Sequence, residues 1–140
     1  MKTKRLKTLE DRVAYRIARS NRNVFVRDDF KDLSSYDQVG RSLRSLVDKK
    51  RLVKIGSGLY ARAKMSPLSR KIIPAKPLPA LATEALDRLG VDVRPSSMEK
   101  AYNAGHTTQV PTGRVIGVKG RVSRKIGYDG KYVSFERATA

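Results

Sequence analysis

At 140 residues the chain has room for one ordinary domain or two very small ones, and its 39% apolar content is too high for wholesale disorder. The absence of cysteine excludes disulfides and thiolate metal sites. A formal net charge of +18, from 31 Lys+Arg against 13 Asp+Glu, calls for a polyanionic partner, of which nucleic acid is the commonest.

Residues 2–7 form a basic arm. Leu6, Leu9, Val13 and Ile17 recur at helical spacing and predict a first helix ending near Ser20-Asn21. Arg12, Arg16 and Arg19 fall on a separate side of it, read either as a solvated face or as a set of phosphate contacts. Asn23 turns the chain into a short strand, Val24-Phe25-Val26. Asp28 or Asp29 then caps a brief second helix that buries Phe30 and Leu33.

The stretch from Ser34 to Arg62 is the most organised. Val39, Leu43, Leu46 and Val47 line one side of a helix capped by Ser34 or Ser35. Gln38, Arg41, Ser42, Ser45 and Lys49 fall on a second, polar side about a third of a turn away. Lys49-Lys50-Arg51 suit the negative end of the dipole. Leu52 to Ile55, Gly56-Ser57-Gly58 and Leu59 to Arg62 then read as strand, tight turn, strand. Helix, strand, short helix, long helix and basic hairpin is the order of a winged helix-turn-helix.

Beyond Lys64, four of the six prolines fall between positions 67 and 79, among Arg70, Lys71 and Lys76. Proline removes a backbone donor and disfavours helix before it, so an extended tether is expected. Leu81, Ala85, Leu86 and Leu89 then predict a helix stopped by Gly90. A short strand at Val91–Arg94, a helix from Met98 to Ala104 and a loop at Gly105–Pro111 follow. Three alternating segments come last, Arg114–Lys119, Val122–Tyr128 and Lys131–Glu136, with Asp129-Gly130 as a hairpin turn. The expected fold class is α+β: a winged helix-turn-helix over 1–65, a Pro-rich basic linker over 66–79, and a small α+β domain with an antiparallel sheet over 80–137.

Arg and Gln can present paired groups to guanine and adenine edges. Gln38, Arg41, Ser42 and Ser45 are therefore the candidate base readers, with Tyr36 near the helix start. Lys49, Lys54, Ser57 and Arg62 are the candidate phosphate holders, while Arg44 reads as solvated and Asp37 and Asp48 as lying off the groove-facing line. Residues 1–66 carry 18 basic and 7 acidic side chains (net +11) and residues 67–140 carry 13 and 6 (net +7), so composition does not choose between the halves. No catalytic residue, metal site or cofactor is expected. His106 is the only histidine, no phosphate-binding or dinucleotide motif occurs, and scattered Glu84, Asp87, Asp92 and Glu99 read as solvated faces. No apolar run approaches about 18 residues and the N-terminus lacks a secretory core, so no membrane partner and a cytoplasmic location are expected.

Two places look like a known group. Phe25-Val26-Arg27-Asp28-Asp29-Phe30, the Leu43, Leu46, Val47 helix and Ile55-Gly56-Ser57-Gly58-Leu59-Tyr60 resemble the winged-helix domain of AbiEi-type antitoxins. Arg94-Pro95-Ser96, Ala101, Asn103, Thr107-Thr108-Gln109-Val110-Pro111 and Ser123-Arg124-Lys125-Ile126-Gly127 are similar to short AbiEi-like antitoxins that accompany nucleotidyltransferase toxins. Ala104-Gly105-His106 departs from the Leu-Gly-Leu common there. The resemblance implies a type IV antitoxin that represses its own operon at inverted repeats, with Arg94, Asn103, Thr108, Gln109 and Arg124 on an antitoxin surface. Its implied partners are double-stranded promoter DNA and a cognate nucleotidyltransferase toxin. The alternatives are an RNA-binding or ribosome-associated protein, or a module that inhibits a toxin by direct contact.

Overall fold

A computed structural model describes residues 8–111 and 113–137; the basic arm and Leu6 lie outside them. The fold is mixed α+β, and the chain divides into two compact units. The first comprises Met1–Lys54 with Gly58–Ala75, the second Ile55–Ser57 with Lys76–Ala140.

The first unit begins with helix α1, Leu9–Arg19. Thr8 accepts from the Asp11 amide at 3.0 Å and Asp11 reaches back to the Thr8 amide, a reciprocal cap that satisfies two orphan donors. Strand β1, Val24–Phe25, follows. The short helix expected next is a single 3-10 turn, Arg27–Phe30, whose opening amide (Val26) donates to Asp29 at 3.0 Å. Helix α2, Tyr36–Asp48, starts on Ser35, whose hydroxyl accepts from the Gln38 amide. It ends with Lys50 at φ +63°, while the Lys50 and Arg51 amides donate back to Val47 and Leu46, each at 2.9 Å. That closure normally employs glycine at the left-handed position.

Strands β2, Leu52–Gly56, and β3, Leu59–Met65, form a hairpin turned at Ser57-Gly58, with Gly58 at φ +70°. β3 is the hub of its sheet. Besides β2 it pairs antiparallel with β1 (Val24↔Ala61, Phe25↔Tyr60) and with β4, Ile72–Pro74 (Ala63↔Pro74, Met65↔Ile72). Residues 66–75 are therefore a hairpin on the first unit and not the extended tether that their prolines suggested. Pro74 lies at the end of an edge strand, opposite Ala63, where a missing N–H is tolerated. Val13, Ile17, Phe25, Phe30, Val39, Leu43, Leu46, Leu52 and Tyr60 make one buried cluster. Helices and sheet are joined through it.

The second unit opens with helix α3, Leu78–Arg88, which buries Leu78, Leu81, Ala82, Ala85 and Leu86 and closes on Gly90 at φ +77°. Strand β5 is Val93–Arg94, and helix α4, Ser97–Asn103, is capped by buried Ser96 and by Glu99. The sheet is mixed, not antiparallel throughout. Strand β6, Val115–Val118, runs antiparallel to β5 and parallel to β9, Ser134–Arg137. Between them lies a separate hairpin of β7, Gly127–Tyr128, and β8, Lys131–Tyr132, narrower than the strand expected over Val122–Tyr128. Its turn, Asp129-Gly130, has both φ values positive (+51° and +75°), as tight hairpins require. Glu136 of β9 accepts from the Ser97 amide and hydroxyl at 2.6 and 2.9 Å, fixing the start of α4 over the sheet.

Candidate nucleic-acid interface

The outward row of α2 runs Asp37, Arg41, Arg44, Asp48, at steps of four, three and four, with Gln38 beside it; all five side chains are exposed. This row differs from the stripe read off the sequence. Ser42 is buried, with 9% of its surface accessible, and so is withdrawn from base reading. Ser45 is half-buried, and its side chain and that of Lys49 both hydrogen-bond Glu10 of α1. Those bonds, Lys49 first, hold the Glu10 carboxyl below its ordinary range. Two of the five expected stripe positions, Ser45 and Lys49, are thus bonded to α1 and a third, Ser42, is buried, while Gln38 and Arg41 stay outward. Arg44, read as solvated, completes the exposed basic pair, and Asp37 and Asp48 stand on the same row rather than off it. Among the described residues neither Arg41 nor Arg44 has a hydrogen-bond or ion-pair partner.

At the start of α2 the ring of Tyr36, 63% exposed, lies against the Arg27 guanidinium, whose carbon is 4.2 Å from the ring centroid. Arg27 Nη1 also reaches the Tyr36 carbonyl at 3.5 Å. The arginine fits there because position 40 is glycine. A Cβ on Gly40 would stand 2.5 Å from Arg27 Cζ. Tyr36 is therefore presented outward on a charged support, next to the row of Gln38 and Arg41.

On the β2–β3 hairpin, Lys54 is exposed. Ser57 is exposed at the turn, and its carbonyl accepts from Arg124 Nη1 at 2.9 Å within the second unit. Arg62 is occupied elsewhere. Its Nε donates to the Arg22 carbonyl at 3.0 Å, its Nη2 to the Ser20 carbonyl, and its guanidinium lies 5.6 Å from the Phe25 ring centroid. It clamps the loop after α1 and is not available as the expected phosphate holder. On α1, Arg16 is likewise committed, bidentate to Asp32 at 2.5 and 2.8 Å, which draws the Asp32 carboxyl down to about 2.

In the second unit Arg94 and Asn103 line a common groove of about 1310 Å³ between α3, β5 and α4, together with Glu84, Asp87, Asp92 and Glu99. Arg94 is paired with Asp92 at 2.8 Å. Gln109 lines a smaller cleft of about 350 Å³ with Met98, Val110 and Val115, and its amide donates to Thr107 Oγ1 at 3.2 Å. Thr108 is exposed and lines neither cavity, and Arg124 is held by the Ser57 carbonyl. The five residues of the expected antitoxin surface therefore do not converge on one site. Among the described residues, no group of three or more His, Asp or Glu side chains could hold a metal ion, and no helix is long and apolar enough to cross a membrane.

A family model described as "Family of unknown function (DUF6088)" matches residues 12–140. The chain belongs to the DUF6088 family. No curated protein and no solved structure matches it. The DUF6088 match spans residues of both units, so the outward row of α2 and the groove lined by Arg94 and Asn103 both fall within the matched region. Two contributors to the candidate interface, Arg44 and Arg27, are not among the sequence-derived candidates. Arg44 was legible as the i+3 neighbour of Arg41 on one helix face. Arg27 was not, because its place under Tyr36 depends on a glycine thirteen positions away.

Proposed function

We propose that the first unit is a winged helix-turn-helix that binds duplex DNA, with α2 in the major groove and the β2–β3 hairpin as a basic wing on the backbone. The observation that carries the reading is the Arg41–Arg44 pair, without a partner among the described residues, at the middle of an outward row that Asp37 and Asp48 close at its ends, next to Gln38 and the supported ring of Tyr36. Two guanidiniums one turn apart suit guanine edges, Gln38 suits adenine, and Lys54 suits a phosphate. Ser42, Ser45, Lys49 and Arg62 drop out of the contact set, because the protein itself uses or buries them.

Within that reading the protein is a sequence-specific repressor of its own promoter. Its role as antitoxin to a nucleotidyltransferase is part of the proposal and rests on the sequence resemblance alone. Gel-shift titration against the upstream region tests the DNA step. Arg41→Ala and Arg44→Ala are each expected to cost about 1–3 kcal/mol on the cognate site and to relax base preference. Lys54→Ala is expected to weaken all sequences alike and to reduce the salt slope by about 1. Affinity that ignores sequence, or is indifferent to both arginines, refutes the repressor reading.

A further inference from the structure

The second unit has a charge distribution of its own. Residues 76–113 balance four cations (Lys76, Arg88, Arg94, Lys100) against four carboxylates (Glu84, Asp87, Asp92, Glu99), a net of zero. Residues 114–137 hold seven cations against two carboxylates, a net of +5, and all seven cations are exposed. One of the two carboxylates, Glu136, is spent on the first turn of α4. Most of the excess belongs to the loop after β6 and the β7–β8 hairpin, where Lys119, Arg121, Arg124, Lys125 and Lys131 stand against the single carboxylate of Asp129.

The hairpin also carries an aromatic ring in an unusual setting. Ile126 and Val133 are buried, and the Val133 amide donates to the Ile126 carbonyl at 3.0 Å, so this pair faces inward. Gly127 and Tyr132 are the next cross-strand pair and face the opposite way. A Cβ on Gly127 would lie 2.7 Å from Tyr132 Cδ1 and 2.0 Å from the Lys131 carbonyl oxygen. The tyrosine ring thus lies across the glycine backbone, in space no other residue would leave free, and it remains 52% exposed. Lys125, two positions before Gly127, is exposed in the segment that leads into the strand.

We propose that this face of the hairpin is a stacking site for unpaired bases, and that the second unit binds single-stranded nucleic acid. An open aromatic face in a segment rich in exposed cations suits a base whose own face is free, with phosphates tracked by the flanking lysines and Arg121. Bases inside a duplex are covered by their neighbours, so a protruding hairpin ring has nothing to stack on there. This goes beyond the α2 reading and does not depend on it.

The test uses the full chain and 12-nucleotide oligo-dT and oligo-U, followed by fluorescence anisotropy across a salt series. Tyr132→Ala is expected to weaken binding about tenfold, and Tyr132→Phe to retain it. Replacing Arg121, Lys125 and Lys131 together by Gln is expected to lower the salt slope by about 2. The protein contains no tryptophan, so Tyr132→Trp supplies a single indole whose emission a stacked base quenches. Quenching by either single strand, with none by a duplex of mixed sequence, supports the site; the stronger strand identifies the preferred sugar. Unchanged affinity of Tyr132→Ala, or equal quenching by duplex, overturns it. The Arg41→Ala, Arg44→Ala double variant separates the two surfaces, since it is expected to lose promoter binding and keep single-strand binding. Loss of single-strand binding in that variant, with Tyr132→Ala unaffected, would assign the activity to α2 and end the proposal.

Discussion

Gly40→Ala isolates the arrangement at the start of α2. The added methyl would stand 2.5 Å from Arg27 Cζ and 2.8 Å from both terminal nitrogens, so the guanidinium must leave. It is the far end of a flexible side chain, and it can do so without moving backbone. The loss is the Arg27–Tyr36 ring contact at 4.2 Å, worth about 0.5–1 kcal/mol at an exposed site. The gain is alanine in place of glycine in a helix interior, about 1 kcal/mol. The two nearly cancel, and the single variant is expected to fall within about 0.5 kcal/mol of the parent. In an Arg27→Ala background nothing remains to displace, so the same substitution is expected to stabilise by the full ~1 kcal/mol. Urea unfolding of the four proteins gives the coupling as the difference, about 0.5–1 kcal/mol. A loss above about 2 kcal/mol in both backgrounds would show that the methyl meets backbone, and that Arg27 is not what the glycine accommodates.

Two further outcomes follow from local geometry. Lys50 holds the left-handed position after α2 at φ +63°, so Lys50→Gly is expected to stabilise by about 1 kcal/mol, read as a rise in urea midpoint at constant m; a fall would mean that the lysine contributes more than its backbone strain costs. The Asp32 carboxyl titrates at about 2 beside Arg16, below its ordinary 3.8. Because its folded value is depressed, the stabilisation is present above the ordinary value and is lost as pH falls through about 2. Carboxyl NMR titration should return Asp32 toward 3.8 in Arg16→Gln, and no movement would refute the pairing.

What was legible in the sequence was what neighbours in the chain decide. A serine cap at Ser34 or Ser35, the apolar repeat of α2, the glycine stop of α3 and the Asp129-Gly130 turn each need only a few adjacent residues. The outward stripe of α2 was misplaced for a different reason. Val39, Leu43 and Leu46 fix which side of the helix is buried, but not which flank a neighbouring helix covers. The small side chains Ser42 and Ser45 were the available hint, since small residues allow close approach. The parallel pairing of β6 with β9 joins positions nineteen apart, and no local pattern distinguishes it from a meander. The prolines between 67 and 79 likewise speak only of missing donors, while the strand is made by Ile72 and Ile73 between them, a pair too short to register as a strand pattern.

The placement of β4 bears on where the polypeptide can be divided. A fragment stopped at Met65 would keep every helix of the first unit yet strip β3 of the partner that pairs with Ala63, Lys64 and Met65. Its unpaired amides and carbonyls would then be open to the same strand of another molecule, and self-association would masquerade as natural dimerisation. Ten more residues, to Ala75, keep that margin occupied by the chain's own continuation.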